Sequence, residues 1–236
     1  MHNSSVWPKT PPTLSPEQKA AREAFMFQWL QILPARYGFV EEFNQGYVAK
    51  LPIPRGSKTL EIGAGIGAHL AFEDLKIQDY HCLELKEERC AEIRKTLPAE
   101  KVHLGNIEER QSWDAGTFDR IVAIHILEHI CNLPRALEEV SRLMKADGVF
   151  DIVLPTEGGL AYTIARKISA ERLFRKKFKM DYTPIVRNEH VNTFAEIRDL
   201  LDEYFEVETA TYYPLPIPIA TLNLCVGMRL KKRNKS

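Results

Sequence analysis

An apolar strand that runs into closely spaced glycines is the feature of this chain that most restricts its fold. The segment from Thr59 to Leu70 has the sequence TLEIGAGIGAHL. Glycine at this spacing lets the backbone turn with unusual dihedral angles and leaves backbone N–H groups open to a ligand. We therefore expect a nucleotide cofactor pocket between the strand and a following helix, and hence an enzyme. Because Gly63, Gly65 and Ala68 also satisfy the dinucleotide fingerprint, the glycines alone do not choose between cofactors.

Size, charge and cysteine usage exclude several classes of protein. A chain of 236 residues that is 44% hydrophobic can bury one substantial core, and its 32 basic and 32 acidic residues cancel. A net charge of zero argues against nucleic acid binding driven by overall charge. The cysteines lie far apart without a CxxC pair, so we expect reduced thiols and a cytoplasmic protein. We also expect no secretory leader and no membrane span, since no apolar run approaches roughly 20 residues.

The first 55 residues lack the short apolar strands of the rest of the chain. Residues 1–15 are rich in proline, serine and threonine, which predicts a flexible tail. Ser15, Pro16 and Gln18 form a capping box that predicts a helix ending near residue 33, and a second helix follows over 35–51. We expect these helices, within 16–55, to form a lid or substrate wall beside a main domain over 56–236.

From residue 58 onward, short apolar strands alternate with amphipathic helices. The pattern predicts strands near 58–62, 80–85, 101–104, 118–124 and 148–154, and a terminal hairpin from segments starting at Phe205 and Leu222. This predicts an α/β fold with a Rossmann-like doubly wound sheet of about seven strands. The sheet would be mostly parallel with an antiparallel C-terminal strand, with a helical lid over 158–192 after strand five.

Several motifs in order resemble the class I S-adenosylmethionine-dependent methyltransferases, over about residues 58–230. They are LEIGAGIG at 60–67, FDRIVAIHILEH at 118–129, LMKADG at 143–148 and the terminal hairpin. The resemblance implies methyl transfer from S-adenosylmethionine to a small-molecule or lipid-linked metabolite, with oxygen the favoured acceptor atom. An NAD(P)-dependent oxidoreductase would share the glycine loop, and a noncatalytic S-adenosylmethionine-binding module would lack turnover; both stay as alternatives.

The expected cofactor residues follow the ends of the first four strands. Glu84 ends the second strand, where an ionised carboxylate can accept hydrogen bonds from the ribose hydroxyls. The resemblance implies that Asn106 contacts the adenine amino group and that Leu85 and Ile107 sandwich the adenine. It also implies that Glu61 orients the glycine loop near the methionine amino group. The remaining expected cofactor contacts are Gly63, Ala64, Gly65, Gly67 and His125.

The candidate chemistry lies in the loop after strand four. His125, Glu128 and His129 match the H-x-x-E-H pattern of a zinc protease, but that pattern needs a helix and His125 directly follows a strand. We expect no bound metal, although the resemblance to metal-assisted O-methyltransferases leaves this mixed set open as ligands. Methyl transfer to a hydroxyl requires a base that removes its proton, and histidine can act as that base at neutral pH. His129 and His190 are the candidate catalytic bases.

A basic segment follows strand five. Between residues 160 and 180, seven basic side chains oppose the single acid Glu171. Such a helix could bind a phosphorylated acceptor, lie on an anionic membrane surface or contact nucleic acid. It could equally be a solvated helix face with no ligand. We expect a small-molecule acceptor and no nucleic acid partner. The predicted acceptor pocket is lined by Glu128, Tyr162, Tyr182 and Arg187.

Overall fold

The computed structural model describes residues 6–233, with side chains except those of residues 27 and 29–37. Seven strands form one sheet in the order β3-β2-β1-β4-β5-β7-β6. The first five run parallel, and β7 pairs antiparallel with both β5 and β6. The strands are β1 Ser57–Ile62, β2 Gln78–Glu84, β3 Val102–Leu104, β4 Phe118–Ile124, β5 Met144–Pro155, β6 Phe205–Tyr213 and β7 Cys225–Lys232. The predicted sheet and terminal hairpin are confirmed.

Helices cover both faces of this sheet. Across residues 6–233 they are α1 Pro16–Ala49, α2 Glu87–Ile93, α3 Leu133–Leu143, α4 Leu160–Arg166, α5 Arg172–Phe178, α6 Thr183–Glu189 and α7 Phe194–Tyr204. A π turn over Lys167–Glu171 joins α4 to α5, so the predicted lid is a bent helical segment followed by α6. In the same part of the chain, no helix combines the length and apolar character that a bilayer span requires.

The main hydrophobic core lies between the sheet, α3 and α7. Apolar side chains of α3 recur at helical spacing, and Leu133, Leu137 and Val140 are fully buried against the central strands. At the start of α7, the Thr193 and Glu196 capping box forms as the sequence predicts. Because β1 and β4 are neighbours while β2 lies beyond β1, the chain reverses its winding direction at their carboxyl ends. That position is where ligands bind in open α/β sheets.

The prediction of two N-terminal helices is wrong, because α1 is one helix of 34 residues. Its N-terminal part packs on the lid, where Phe25 meets Phe174 with ring centroids 5.3 Å apart. Its C-terminal part packs on the sheet, where Val48 is fully buried. A Cβ at Gly227 of β7 would lie 2.2 Å from the Tyr47 ring, so this helix sits directly on the strand backbone. Contacts at both ends of α1 hold the helix continuous.

The prediction of a flexible tail is also wrong for residues 6–15. Leu14 is buried, and the Lys9 backbone N–H donates to the Cys131 carbonyl over 2.8 Å. The Lys9 ammonium donates to the Glu196 carboxylate over 2.6 Å. Residues 6–15, which we call the N-terminal strap, therefore cross the molecule between the loop after β4 and α7. Residues 1–5 lie outside the described part of the chain.

A network of buried charges connects α1 to the face of the sheet opposite the main core. Asp151 is fully buried and accepts hydrogen bonds from Arg120 over 2.8 Å and from Arg229 over 2.7 and 2.8 Å. Arg120 also donates to Glu73 and to the Val48 carbonyl, over 2.9 and 2.7 Å. Charges taken out of water need such complete pairing, because a buried ion with no partner is strongly destabilising. The network joins β4, β5, β7 and the end of α1.

Candidate active site

The glycine loop connects β1 to the rest of the site. Gly63, Gly65 and Gly67 all have positive φ angles, of 65°, 59° and 79°. A Cβ at Gly63 would lie 2.4 Å from the Ile126 side chain, so the loop packs directly on the segment after β4. A Cβ at Gly65 would meet nothing within 4 Å, which leaves open space beside the backbone. The expected helix after the glycines is only a 3₁₀ turn over Ala68–Ala71, so no long helix directs its N-terminus at this space.

Glu84 holds the glycine loop from the end of β2. Its Oε2 accepts a hydrogen bond from the Gly65 N–H over 2.9 Å, and its Oε1 accepts from the N–H groups of Leu85 and Lys86 over 2.9 and 3.1 Å. Oε1 thus has both lone pairs engaged, whereas Oε2 has capacity for one further hydrogen bond. The side chains of Ile66 and Leu85 are 57% and 63% exposed beside this carboxylate. A fixed acid between exposed apolar side chains fits the ribose and base of a nucleoside.

The other expected cofactor residues vary in their placement. The side chain of Asn106 accepts from the Glu108 N–H over 3.0 Å, and Ile107 is buried in the main core. Ala64 is buried against the second and third strands. Glu61 is also buried, and its carboxylate accepts from the Tyr80 hydroxyl over 3.0 Å rather than from the glycine loop. Burial raises the pKa of Glu61. The cofactor contacts of these residues stay predictions.

His125 and Glu128 form an ion pair at the end of β4. His125 has a φ of 49°, and its Nδ1 lies 3.3 Å from Glu128 Oε1. Burial alone would lower the pKa of His125, but hydrogen bonding to Cys225 and Glu128 raises it to about 10. Burial would raise the pKa of Glu128, but the hydrogen bond from His125 and the nearby imidazoles lower it to about 2. The side chain of His125 therefore balances the charge of a fully buried carboxylate.

The imidazoles of His129 and His190 meet beside that carboxylate, with ring centroids 5.0 Å apart. His129 Nδ1 lies 2.7 Å from the Glu189 carbonyl oxygen, and His190 Nδ1 lies 2.8 Å from Glu157 Oε2. Both partners accept, so Nδ1 carries the hydrogen in each ring and Nε2 keeps its lone pair when the ring is neutral. Burial lowers the pKa of His129, which favours the neutral form. The pair can accept a proton.

Glu128, His129 and His190 also form a cluster with ligand atoms within 4.8 Å of one another. Around a zinc-sized ion, with bonds of about 2.0–2.2 Å, ligand atoms also lie within that limit of one another, so this spacing is compatible with a bound cation. The protonated His125, 3.3 Å from Glu128, would repel a cation. The clustered set is therefore Glu128, His129 and His190 rather than the His125, Glu128 and His129 considered from the sequence, and the absence of a metal stays a prediction.

The residues expected to line the acceptor pocket lie in different places: some pack inside the lid, and others line an open cavity. Tyr162 is half-buried, and burial together with the nearby Glu157 and Glu128 carboxylates raises its pKa well above the ordinary value. Tyr182 packs its ring on Phe174 within the lid, with centroids 5.1 Å apart. Arg187 is exposed and lines a cavity of about 420 Å³ with His190 and the N-terminal strap. The strap was not expected to contribute to the site.

Three further contributions were missed from the sequence. Glu157 orients His190, the Glu189 carbonyl orients His129, and Lys9 donates to the Val191 carbonyl over 2.9 Å. Glu157 lies just beyond β5, at the sheet edge that carries Glu84 and His125. Its position after a strand was therefore a signal for the site. A backbone carbonyl and a distant strap residue carry no comparable sequence signal.

Fold and site together define a class of protein. A strand order of β3-β2-β1-β4-β5-β7-β6 with antiparallel β7, a glycine loop after β1 and an acid ending β2 form the Rossmann-like arrangement that the resemblance to class I methyltransferases implies.

Comparison with known proteins gives the family. Residues 60–152 match the protein family described as Methyltransferase domain. The (S)-coclaurine N-methyltransferase of Papaver somniferum is 30% identical over 125 residues, which cover 49% of this chain and 34% of that protein. The match thus spans about a third of the length of this curated relative. Residues 60–152 thus correspond to a methyltransferase domain, and S-adenosylmethionine is the cofactor that the comparisons support.

Solved structures agree on the fold. A TehB-like S-adenosylmethionine-dependent methyltransferase of Corynebacterium glutamicum has a TM-score of 0.62 at 16% identity, covering 91% of this chain and all 100% of that one. The methyltransferase CalH, solved with S-adenosylhomocysteine, has a TM-score of 0.55 at 16% identity over 86% of this chain and 62% of that one. Similarities at these identities establish the fold alone. The family match decides between the cofactors that the glycine motif left open.

Proposed function

We propose that this protein transfers a methyl group from S-adenosylmethionine to a hydroxyl of a small-molecule or lipid-linked acceptor. The observation that carries the proposal is the pairing of His129 and His190, each with one ring nitrogen hydrogen-bonded and the other free, beside the glycine loop. The two parts belong to one cleft, because Gly63 packs on Ile126, three residues before His129. A proton acceptor thus lies next to a cofactor pocket.

Each group has a stated part in the reaction. S-adenosylmethionine supplies an electrophilic methyl group on its sulfonium. Glu84 and the Gly65 backbone hold the ribose end, and the exposed side chains of Ile66 and Leu85 cover the base. With the cofactor bound, His129 would take the hydroxyl proton as the C–O bond forms and the S–CH3 bond breaks, with S-adenosylhomocysteine as the leaving group, since a neutral imidazole is a competent base near pH 7. Glu128 stabilises the imidazolium that results, because its nearest carboxylate oxygen lies 3.9 Å from His129 Nε2.

The acceptor enters between the N-terminal strap and α6. The cavity there reaches His190 and carries Arg187 at its wall. The Arg187 guanidinium has no ion pair or hydrogen bond with any residue whose side chain the structure describes. An exposed, unpaired guanidinium favours an acceptor with a carboxylate, phosphate or acidic hydroxyl near the methylated oxygen. Tyr162 lies outside the lining of this cavity and offers a neutral hydroxyl near the Glu157 and Glu128 carboxylates.

A nitrogen acceptor is the second candidate, because the relative from Papaver somniferum is named as an N-methyltransferase. The same histidine pair would remove a proton from an ammonium group. Carbon acceptors would need a base for a far weaker acid, which a neutral imidazole serves less well.

Two measurements test the proposal in sequence. Calorimetric titration with S-adenosylhomocysteine should show binding that Glu84→Gln weakens by about tenfold or more, since a charge-assisted hydrogen bond contributes about 1.5–3 kcal/mol. Glu87→Gln, at an acid that is 58% exposed three residues further on, is the matched control and should bind as wild type. Equal affinity for both variants, or binding of NAD(H) instead, would contradict the assigned pocket.

The second measurement is turnover with deuterated-methyl cofactor and a panel of phenols, sugars and amines, with and without acidic substituents. Labelled product analysed by mass spectrometry and NMR identifies the acceptor atom. Loss of turnover in His129→Gln with unchanged S-adenosylhomocysteine binding supports the base. Binding without turnover on any panel member would favour a noncatalytic module.

A further inference from the structure

An exposed aliphatic patch lies on the lid and on the loop between β6 and β7. Among the residues whose side chains the structure describes, 14 large hydrophobic side chains are exposed, and half of them belong to these two segments. We call this set the aliphatic patch, and its members are between 38% and 68% exposed. They are Leu160, Ile164, Ile168, Leu215, Ile217, Ile219 and Leu222. Concentrated apolar exposure of this kind marks an interaction surface.

The two segments are neighbours in the structure. The Leu160 N–H donates to the Thr221 hydroxyl over 3.1 Å, which joins the start of α4 to the loop. Asn223 is fully buried and holds the loop from inside, accepting from the Leu215 N–H over 2.7 Å and donating to the Ile219 carbonyl over 3.0 Å. The loop backbone is therefore fixed while its aliphatic side chains point outward.

Unpaired basic side chains follow the patch along the lid. Lys167, Arg172 and Lys176 are exposed and have no ion pair or side-chain hydrogen bond with any described residue. The acid between them, Glu171, is already paired with Arg175 over 3.0 Å and lies 3.9 Å from Arg166. This part of the lid therefore presents net positive charge beside apolar side chains.

We propose that the aliphatic patch is a docking surface for an anionic lipid bilayer. Aliphatic side chains enter the interfacial region, and flanking lysines and arginines are attracted to anionic headgroups. A folded protein partner is a poorer fit, since protein interfaces are enriched in aromatic residues and depleted in lysine. The patch consists of aliphatic side chains only.

Docking at this position would bring the bilayer to the outer side of α4, whose Tyr162 faces the site. Leu160 and Ile164 flank Tyr162 in sequence, and both are exposed. Tyr162 itself is half-buried near the carboxylates of Glu157 and Glu128. One helix thus separates lipid from the histidine pair.

Vesicle binding tests this inference, and it needs neither acceptor nor turnover, so its failure is distinct from failure of the proposed methyl transfer. The 236-residue chain is sedimented with vesicles of pure phosphatidylcholine or of phosphatidylcholine mixed with phosphatidylglycerol. We expect binding to the anionic vesicles only, weakening as salt is raised. Binding to neither vesicle, or to both equally, would overturn the proposal.

Matched variants locate the surface. Ile164→Ser combined with Ile168→Ser should weaken binding at least tenfold, whereas Val207→Ser, at a 38% exposed site on β6, should not. Lys176→Gln should weaken binding about fivefold, since one basic residue near an anionic surface contributes about that factor. Lys95→Gln, at a 69% exposed lysine on the far side of the cofactor cleft, is its control.

Thermal unfolding confirms that each variant is folded, as expected for exposed positions. Sedimentation velocity without vesicles provides a further outcome. A dimer that the double isoleucine variant disrupts, with no vesicle binding by wild type, would assign the patch to a second copy of the chain and overturn the proposal.

Discussion

Replacing Asp151 with asparagine should destabilise the protein strongly while preserving its shape. The carboxylate accepts three hydrogen bonds from two arginines and is fully buried. An asparagine keeps one accepting oxygen but turns an N–H₂ group toward an arginine and leaves two buried cations with one fewer negative charge. Breaking a buried pair in this way costs about 3–5 kcal/mol. For a chain of this size that corresponds to a fall in Tm of roughly 6–20 °C.

Urea unfolding followed by circular dichroism, together with a thermal scan, measures this loss. Asp202→Asn is the matched control, because Asp202 is 50% exposed and pairs with Arg198 four residues earlier. Its loss should stay below about 0.5 kcal/mol. If Asp151→Asn unfolds within about 1 kcal/mol of wild type, the argument that the network is a closed set of compensated charges is refuted.

Three further predictions concern the site. Gly63→Ala should lower stability by more than Gly65→Ala, since both add a side chain at positive φ at a cost of about 1–2 kcal/mol but only the first clashes with Ile126; equal losses would contradict the packing. The kcat/KM should rise with pH through an inflection below about 6.5, because burial lowers the pKa of the base His129 and the rate requires its neutral form; an unchanged profile in His129→Gln would remove that assignment. Treatment with a chelator should leave activity within about twofold, whereas a large loss restored by a divalent cation would make the cluster around Glu128 a metal site.

Much of the fold could be predicted because short-range patterns determine it. The strands of the sheet and the capping boxes at Ser15 and Thr193 are local features, and their contributions do not depend on distant residues. The position of Glu84 followed equally from the end of an apolar strand. The break expected within the N-terminal helix did not occur, because packing at Phe25 and Val48 outweighs the hydrogen bond lost at a proline.

Features that the sequence did not indicate concern the direction of side chains and long-range contacts. Glu61 lies next to the glycine loop in sequence, yet its carboxylate bonds to Tyr80 in the neighbouring strand. The strap follows a disorder-like composition, yet Lys9 finds partners more than 180 residues away. Such contacts form only when the tertiary structure brings the groups together, so composition and periodicity give no indication of them.

The long helix α1 mechanically couples the lid to the sheet. At 1.5 Å per residue its 34 residues span about 51 Å, with the lid cluster at one end and the β7 backbone at the other. The close contact between Tyr47 and Gly227 leaves the sheet end no room to slide. Movement of the lid would therefore require the helix either to tilt about this contact or to bend near Pro34. At Pro34 the helix already lacks one backbone hydrogen bond. The stiffness of this one helix thus sets how far the site can open.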